Sequence, residues 1–545
     1  MSDRLQLNAT AGGDRGCCRF PNISASVRYV SPPQAITTPS KYPTRGASSA
    51  TTLALANLSF SRQVTIVTIG KLSGDVILRI FRYYLDSSPR CWLRLVHVCR
   101  AWRRIVFASQ RDLRLPLFCT YGTPVTKILD RWPSLPIVVE YGGSLALGPP
   151  VPEDENNIVA ALKQSDRVAS IRLTVTSSLL ERLSAIERPF SELEDLVLLP
   201  RDGVQMALPR AFLWGTRLRR LHTTRILFPS LLRLLQSSRN LVDLQLHDIL
   251  NPWHFSAEML TNTLSGMIRL QSLSLHFLSI DYFLAPPLLP GERIVLPVLT
   301  RLNFRGVTEY LDGFVVRIDA PRLRNIKVTF TNKIIFDLSK LTRFIDRIGM
   351  HKSYCRAHIL SSRYAISISL IQPGTPTSLK LRLFRAPITE QLFFMGRVFF
   401  EFSTFLFNVE GLRISATRPF GGDNNRFNGW LMPINSFTGV KRLHIAGNLS
   451  TDIVRALELD SWRKTLLPTL QKLYIPQPGP RHALLREAIV SFMISRRLSG
   501  YPIEVEYEHI SQRELPETGT MLFVQCYHRH LLTRCIRTFL SAGDD

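Results

Sequence analysis

A hexamer of the form Leu-x-x-Leu-x-Leu recurs through the middle of the chain. It starts at Leu193, Leu218, Leu241, Leu270, Leu299 and Leu323, at separations of 25, 23, 29, 29 and 24 residues, and returns at Val409, Val440 and Leu470. Alternation within each hexamer predicts a strand with one apolar face. A single strand of this kind cannot cover that face. Repeats stacked side by side bury it in a continuous parallel sheet with helices outside. Further alternating runs predict strands over 113–119, 136–141, 168–175, 365–370, 379–384, 503–507 and 521–525. Helices are predicted over 124–131, over 158–163 behind the acidic residues Glu153, Asp154 and Glu155, over 389–402 with Thr389 as N-cap, and over 481–497. The hexamer frame is lost after Val328, so 331–400 reads as a divergent interval where the array bends or is interrupted.

Upstream of the array, residues 72–107 read as two amphipathic helices. Ser73 is placed as an N-cap, and Asp75 sits in the first turn, where a carboxylate suits the helix dipole. Val76, Ile77, Ile80, Phe81 and Tyr84 form one broad stripe, and Pro89 fits the first position of a second helix. In that helix Leu95, Val98, Cys99, Trp102 and Val106 line one face, and Trp92, Leu93, Val96 and Ile105 a second. A helix apolar on two faces has two things to cover. One is its own small core. The other is either the globule behind it or a separate partner.

The repeat looks like an irregular leucine-rich repeat. It departs from the regular form at the ninth position, where Asn is expected and this chain has Arg201, Ile226, Ile249, Leu278, Val307 and Thr331. The ladder that Asn supports must be met another way. The helical segment closely resembles the F-box, on the pattern Leu72, Asp75, Val76, Ile80, Phe81, then Leu95, Val98, Cys99 and Trp102. It departs from that family at Ser73, where Pro is usual. The Trp132-Pro133 and Leu135-Pro136-Ile137 segment is similar to one found in fungal F-box proteins. The resemblance implies an α/β chain in three parts: a basic Ser/Thr/Pro-rich tail over 1–62, an F-box-like helical module over 63–110, and a leucine-rich-repeat-like βα solenoid over 111–540. It implies that the nine residues dock a Skp-type adaptor, and through it a cullin, in a ubiquitin ligase. The array would recruit a target protein, with no catalytic residue and no cofactor.

With hexamer positions one, four and six buried, positions three and five face the open side of the sheet. Early repeats place Asp195, Val197, Arg220, His222, Asp243, Gln245, Ser272 and Ser274 there. Later ones place Arg301, Asn303, Asn325, Lys327, Arg413, Arg442, His444, Lys472 and Tyr474. That face is mixed at first and basic later. Arg301, Lys327, Arg413, Arg442, His444, Lys472 and Tyr474 are the candidate target-binding residues, suited to an acidic or phosphorylated segment.

The composition bounds the alternatives. The 545 residues are 45% hydrophobic and 20% charged, and the net charge is +26. Such a charge keeps a nucleic-acid-binding repeat protein open as a rival reading. The cations are scattered, however, with no run of five or more, and most read as solvated repeat surface. Eight Cys without a secretory signal predict reduced thiols and a cytoplasmic or nuclear location, with Cys91, Cys99 and Cys119 in the core. The Arg-rich, acid-poor tail also fits a transit peptide, although no amphipathic helix accompanies it. No run of 18 apolar residues predicts a membrane helix. Phosphate-loop, nucleophile-elbow and zincin motifs are absent, which leaves only an enzyme without a recognised motif. Cys526, His528, His530 and Cys535 are the best metal candidates, yet their spacing matches no closed site. Glu504 and Glu506 share a strand face and read as solvated.

Overall fold

The computed structural model describes residues 72–508 outside a set of short interruptions, the longest being 143–150, 279–291 and 417–433. The predicted tail, the strand over 521–525 and the Cys526–Cys535 candidates lie outside the described residues. So do Cys91, Trp132 and Pro133.

Three helices open the described chain: α1 (Gly74–Ser87), α2 (Trp92–Val98) and α3 (Arg100–Ala108). The predicted second helix is therefore two. Cys99 breaks it, with φ −158° and ψ 170°, and its Sγ accepts the Trp102 backbone N–H at 3.5 Å as an N-cap. Arg103 Nε donates to the Val96 carbonyl at 3.0 Å and ties the two pieces together. The first helix also runs on through Asp86 and Ser87, past the predicted break. Ile77, Phe81, Leu95, Val96, Val106 and Leu113 form the core of this module.

Leu113 ends that core, and two residues later the chain enters a second one. Strands and helices then alternate: β1 (Leu115–Phe118), α4 (Val125–Arg131), β2 (Ile137–Tyr141), α5 (Pro152–Leu162), β3 (Val168–Val175), α6 (Ser177–Leu183), β4 (Asp195–Pro200) and β5 (Arg220–Thr224). They continue through α7 (Phe228–Ser237), β6 (Asp243–Ile249), α8 (Ala257–Leu264), β7 (Ser272–Phe277), β8 (Ile294–Val295), β9 (Arg301–Gly306), α9 (Thr308–Arg317), β10 (Ile318–Asp319) and β11 (Asn325–Phe330). After α10 (Ser339–Arg347) come β12 (Arg356–Ser362), β13 (Ala365–Ile371) and β14 (Ser378–Phe384). The last elements are α11 (Ile388–Glu401), α12 (Ser403–Leu406), β15 (Gly411–Ala416), β16 (Arg442–Gly447), α13 (Ser450–Leu459), β17 (Lys472–Pro476), α14 (Ala483–Leu498) and β18 (Glu504–Glu508). Thr389 lies inside α11 rather than capping it.

Sixteen strands form one sheet, in the order β1-β2-β3-β4-β5-β6-β7-β9-β11-β14-β13-β12-β15-β16-β17-β18. A continuous core fills the space between its apolar face and the helices, from Leu115 to Phe492. Outside β12 to β14 this is a leucine-rich-repeat-like solenoid by its own geometry, with strands stacked in parallel and covering segments between them. At three of the six positions where Asn is expected, the sheet ladder continues through backbone bonds. Arg201, Leu278 and Thr331 donate their own N–H groups to the carbonyls of Val175, Ile249 and Gly306 at 2.9, 3.0 and 3.1 Å. The helices use local caps where the sequence provides them. Thr176 Oγ1 accepts from Leu179 N–H at 3.2 Å, and Ser256 Oγ from Met259 N–H at 3.1 Å. Asp154, from the acidic first turn, accepts both the Val151 N–H and the Tyr141 hydroxyl at 3.2 Å. Burial and that carboxylate push the Tyr141 hydroxyl up to about 12.

Across the divergent interval the sheet is continuous, but the regular parallel repeat is interrupted. The chain leaves β11, passes through α10 and lays β12 three places further along the sheet. It then turns back: β13 is antiparallel to β12, and β14 is antiparallel to β13 and parallel to β11. Finally β15 pairs in parallel with β12. Three strands thus complete the sheet in reversed order without breaking it.

Close approach fixes one glycine. A Cβ on Gly439 would collide with the Phe407 carbonyl oxygen, a backbone atom that cannot swing away. Gly439→Ala is expected to cost about 1–3 kcal/mol, as overpacking does, and a lowered urea midpoint at constant m-value would register it.

Candidate functional site

Two surfaces come out of this fold. The first is on the helical module. Of the nine residues matched to the F-box pattern, Phe81 and Leu95 lie inside the core, where no surface partner can touch them. Phe81 meets Trp102 edge-on, with ring centroids 4.7 Å apart. Leu72 and Trp102 are half-buried against the same core. The rest are outside: Asp75 and Cys99 are exposed, as are Val76 at 43%, Ile80 at 47% and Val98 at 58%. Cys99 is therefore not a core residue, whereas Cys119 is buried and its thiol is pushed up to about 12, mainly by burial. Val76, Ile80 and the 78%-exposed Tyr83 recur at i, i+4 and i+7 and make one apolar stripe along α1. The single broad stripe expected on α1 thus divides into a buried edge, Ile77 and Phe81, and an exposed one.

The second surface is the open face of the sheet. Alternating burial along the strands places hexamer positions three and five there, including Arg301, Lys327, Arg413, Arg442, His444, Lys472 and Tyr474. The two ends neutralise themselves. Near the start, Asp195 accepts from Arg172 at 2.8 Å and from Arg220 at 3.3 Å, which explains why this carboxylate is buried. Arg172 also reaches Glu140 at 3.2 Å. At the far end, Lys472 Nζ bridges Glu506 at 2.7 Å and Glu504 at 3.0 Å, so these glutamates are not merely solvated. Those bonds raise the Lys472 ammonium well above its ordinary range. His444 stacks on Tyr474, with centroids 4.0 Å apart and planes 6° apart.

Between the ends the face changes. No Asp or Glu occurs anywhere in the eight consecutive strands β7, β9, β11, β14, β13, β12, β15 and β16. At about 4.8 Å per strand these span about 34 Å. They carry Arg301, Arg305, Lys327, Arg356, Lys380, Arg382, Arg413 and Arg442. Register brings four of these cations together. Lys327 is the direct cross-strand partner of Lys380, and Thr329 lies between Arg382 on one side and Arg305 on the other. Both guanidinium groups stand over the Phe384 ring, at 5.2 Å for Arg305 and 5.4 Å for Arg382. Burial, and then Lys380, Arg382 and Arg305, pull the Lys327 ammonium below its ordinary range. Burial and Arg382 do the same to Lys380, and burial and Arg305 to Arg382.

A histidine ladder leads into this cluster. His222 Nε2 lies 3.3 Å from His247 Nδ1, and His247 stacks on His276 with centroids 4.1 Å apart. Asn303 Nδ2 approaches His276 Nε2 at 2.9 Å. Burial, with the positive charge of Arg305 and Lys327, drives His276 down to about 4.

Of the four clustered cations, only Lys327 is among the residues expected from the sequence. Arg305 and His276 occupy the seventh position of their repeats, one beyond the hexamer. Lys380 and Arg382 sit on a strand outside the frame, although alternation over 379–384 does expose them to a careful reading.

Among the described residues, no helix is long and apolar enough to cross a membrane, and no group of His, Cys, Asp and Glu could hold a metal ion. A groove of about 580 Å³ lies between α7 and α8, lined by Leu235, Gln236, Met259 and Asn262 among others.

No protein-family model matches the chain, and no curated protein matches it. Among solved structures, it is similar to the leucine-rich repeat-containing protein LegL7 from Legionella pneumophila, at 12% identity and a TM-score of 0.24, over 70% of this chain and 97% of that one.

Proposed function

We propose that this chain is the substrate-recognition subunit of a Skp–cullin–F-box ubiquitin ligase. In this reading the helical module docks a Skp-type adaptor, and the open face of the solenoid holds a target protein. The chain supplies no catalytic group. Its contribution to transfer is proximity, since a tethered target meets the charged conjugating enzyme at a high effective concentration.

The observation that supports docking is the division of residues on α1. Ile77 and Phe81 fill the module's own core, while Val76, Ile80 and Tyr83 are left facing outward. An exposed apolar stripe on a small helical module is what an adaptor would cover. The residues that carry the F-box resemblance include two members of that stripe.

The test is co-purification of the full chain with a Skp-type adaptor. Ile80→Asp and Val98→Asp place a charge on the exposed surface and leave the core untouched. Each is expected to weaken capture at least about 30-fold, the loss of a typical interface anchor of about 2 kcal/mol. A wild-type chain that captures no adaptor, or Asp variants that capture it normally, would end this reading.

A further inference from the structure

We propose that the open face at β9, β11 and β14 binds a phosphate monoester carried on a peptide segment, held by Arg305, Lys327, Lys380 and Arg382. The identity of the carrier rests on the target-recruiting reading above; the affinity for phosphate does not.

Three observations converge on this site. The first is the contrast along the sheet. Asp195 and Glu140 answer the cations of one end, and Glu504 and Glu506 those of the other. The eight strands between them hold no acidic residue. Among the described residues no carboxylate pairs with Lys327, Lys380 or Arg382. The second is convergence. Lys327 and Lys380 face each other across adjacent strands, and the Arg305 and Arg382 guanidinium groups both stand against the Phe384 ring. Gathering like charges in a half-buried patch opposes folding, and an anion on the patch removes the opposition. The third is origin. Lys380 and Arg382 come from the reversed three-strand interval, and Lys327 and Arg305 from the regular repeats before it.

The compactness of the cluster selects the ligand. Strands about 4.8 Å apart place several donors around one dianion, whereas carboxylates spaced along an acidic peptide would each meet one. Arginine forks and lysine point charges together suit a tetrahedral oxyanion. A single-stranded nucleic acid would need aromatic platforms for its bases. In the acid-free stretch the exposed-face aromatic ring beside the cations is Phe384, and it already lies under Arg305 and Arg382.

The test measures thermal shift and titration calorimetry on the full chain. The probes are a neutral Gly/Ser peptide bearing one phosphoserine, the same peptide with Glu in its place, inositol hexakisphosphate, and oligouridylate. The phosphopeptide is expected to raise the melting temperature of the wild type, and the Glu peptide to bind at least about tenfold more weakly. The double variant Lys380→Met/Arg382→Met should lose the response while melting, without ligand, no lower than wild type, because repulsion has been relieved. Lys327→Met serves as an independent variant on a regular repeat strand. Variants that still respond would place the phosphate elsewhere and overturn the proposal, as would a wild type unmoved by every probe. Response to inositol hexakisphosphate alone would assign the site to a free polyphosphate, and response to oligouridylate alone to nucleic acid. Either result overturns the peptide-borne monoester. Adaptor capture is measured separately, so failure here is distinguishable from failure of the docking reading.

Discussion

Phe81→Ala is expected to unfold the helical module and to leave the solenoid standing. Phe81 is fully buried and packs edge-on against Trp102. Removing a buried Phe costs about 3–5 kcal/mol, the transfer of its ring plus the cavity left behind. The core that must absorb this loss is small, with Ile77, Leu95, Val96, Val106 and Leu113 as its other buried members. A core of that size has little stability to spare. The solenoid has its own continuous core, and Leu85 is the partly buried residue packed against both. Hydrogen exchange should show amides of 74–108 losing protection while those of β4 to β7 keep theirs. If the protection of α1 survives, Phe81 does not hold the module together. The comparison with Ile80→Asp matters for docking. Both variants should lose adaptor capture, but only Phe81→Ala should do so by unfolding.

Acid is expected to weaken the solenoid once the pH falls below about 6.5. Burial, reinforced by neighbouring cations, holds His276 and His358 down to about 4, and burial with His276 and His222 holds His247 down to about 2. In the unfolded chain these rings titrate near 6.5. Between about pH 6.5 and pH 4 the unfolded chain therefore binds protons that the native chain refuses. Their contribution to stability is complete above the unfolded value and is lost as pH falls toward the folded one. The slope is about 1.4 kcal/mol per pH unit for each ring kept neutral, so the combined loss amounts to several kcal/mol by pH 4. Urea midpoints measured from pH 7.5 to pH 4.5 should fall steeply below about 6.5. In His276→Gln and His358→Gln the fall should be shallower. A flat midpoint over this range would mean that these rings charge freely in the folded protein.

Much of this fold was legible in the pattern of apolar residues. Leu193 to Leu323 mark strands because burying alternate side chains against a layer of helices leaves a period-two trace that no other structure produces. The same logic exposed positions three and five. It stopped one residue short. His247, His276 and Arg305 stand at position seven, on strands that continue past the last frame residue; Phe277 marks that continuation in one repeat, but Asp248 and Gly306 hold the same place in the other two. The helical module shows a different limit. Helical periodicity identifies Val76, Ile77, Ile80 and Phe81 as apolar, but one stripe cannot say which edge is inside. Only the packing of α2 and α3 decides that Ile77 and Phe81 are buried while Val76 and Ile80 remain exposed. At Cys99 a continuous apolar pattern concealed a break, because a capping thiol can interrupt a helix without interrupting its hydrophobicity. The reversed order of β12 to β14 left no trace at all, since a strand's side-chain pattern is the same whichever way it runs.

That reversal constrains how the sheet can assemble. In a uniform stack each repeat finds its neighbour already in place, and order spreads from any starting point by contacts between successive segments. Here β11 pairs with β9 on one side, but its other edge has nothing to pair with until the chain has made two turns and returned as β14. Meanwhile β12 and β15 can join to start a separate front on the far side. Two fronts advance from opposite ends and meet at β14, the keystone that closes the sheet. Strand pairs formed across so long a stretch of intervening chain are slow to close. As the chain leaves the ribosome, everything before β11 can be ordered while its edge stays open, and the four cations gather only when that edge is sealed.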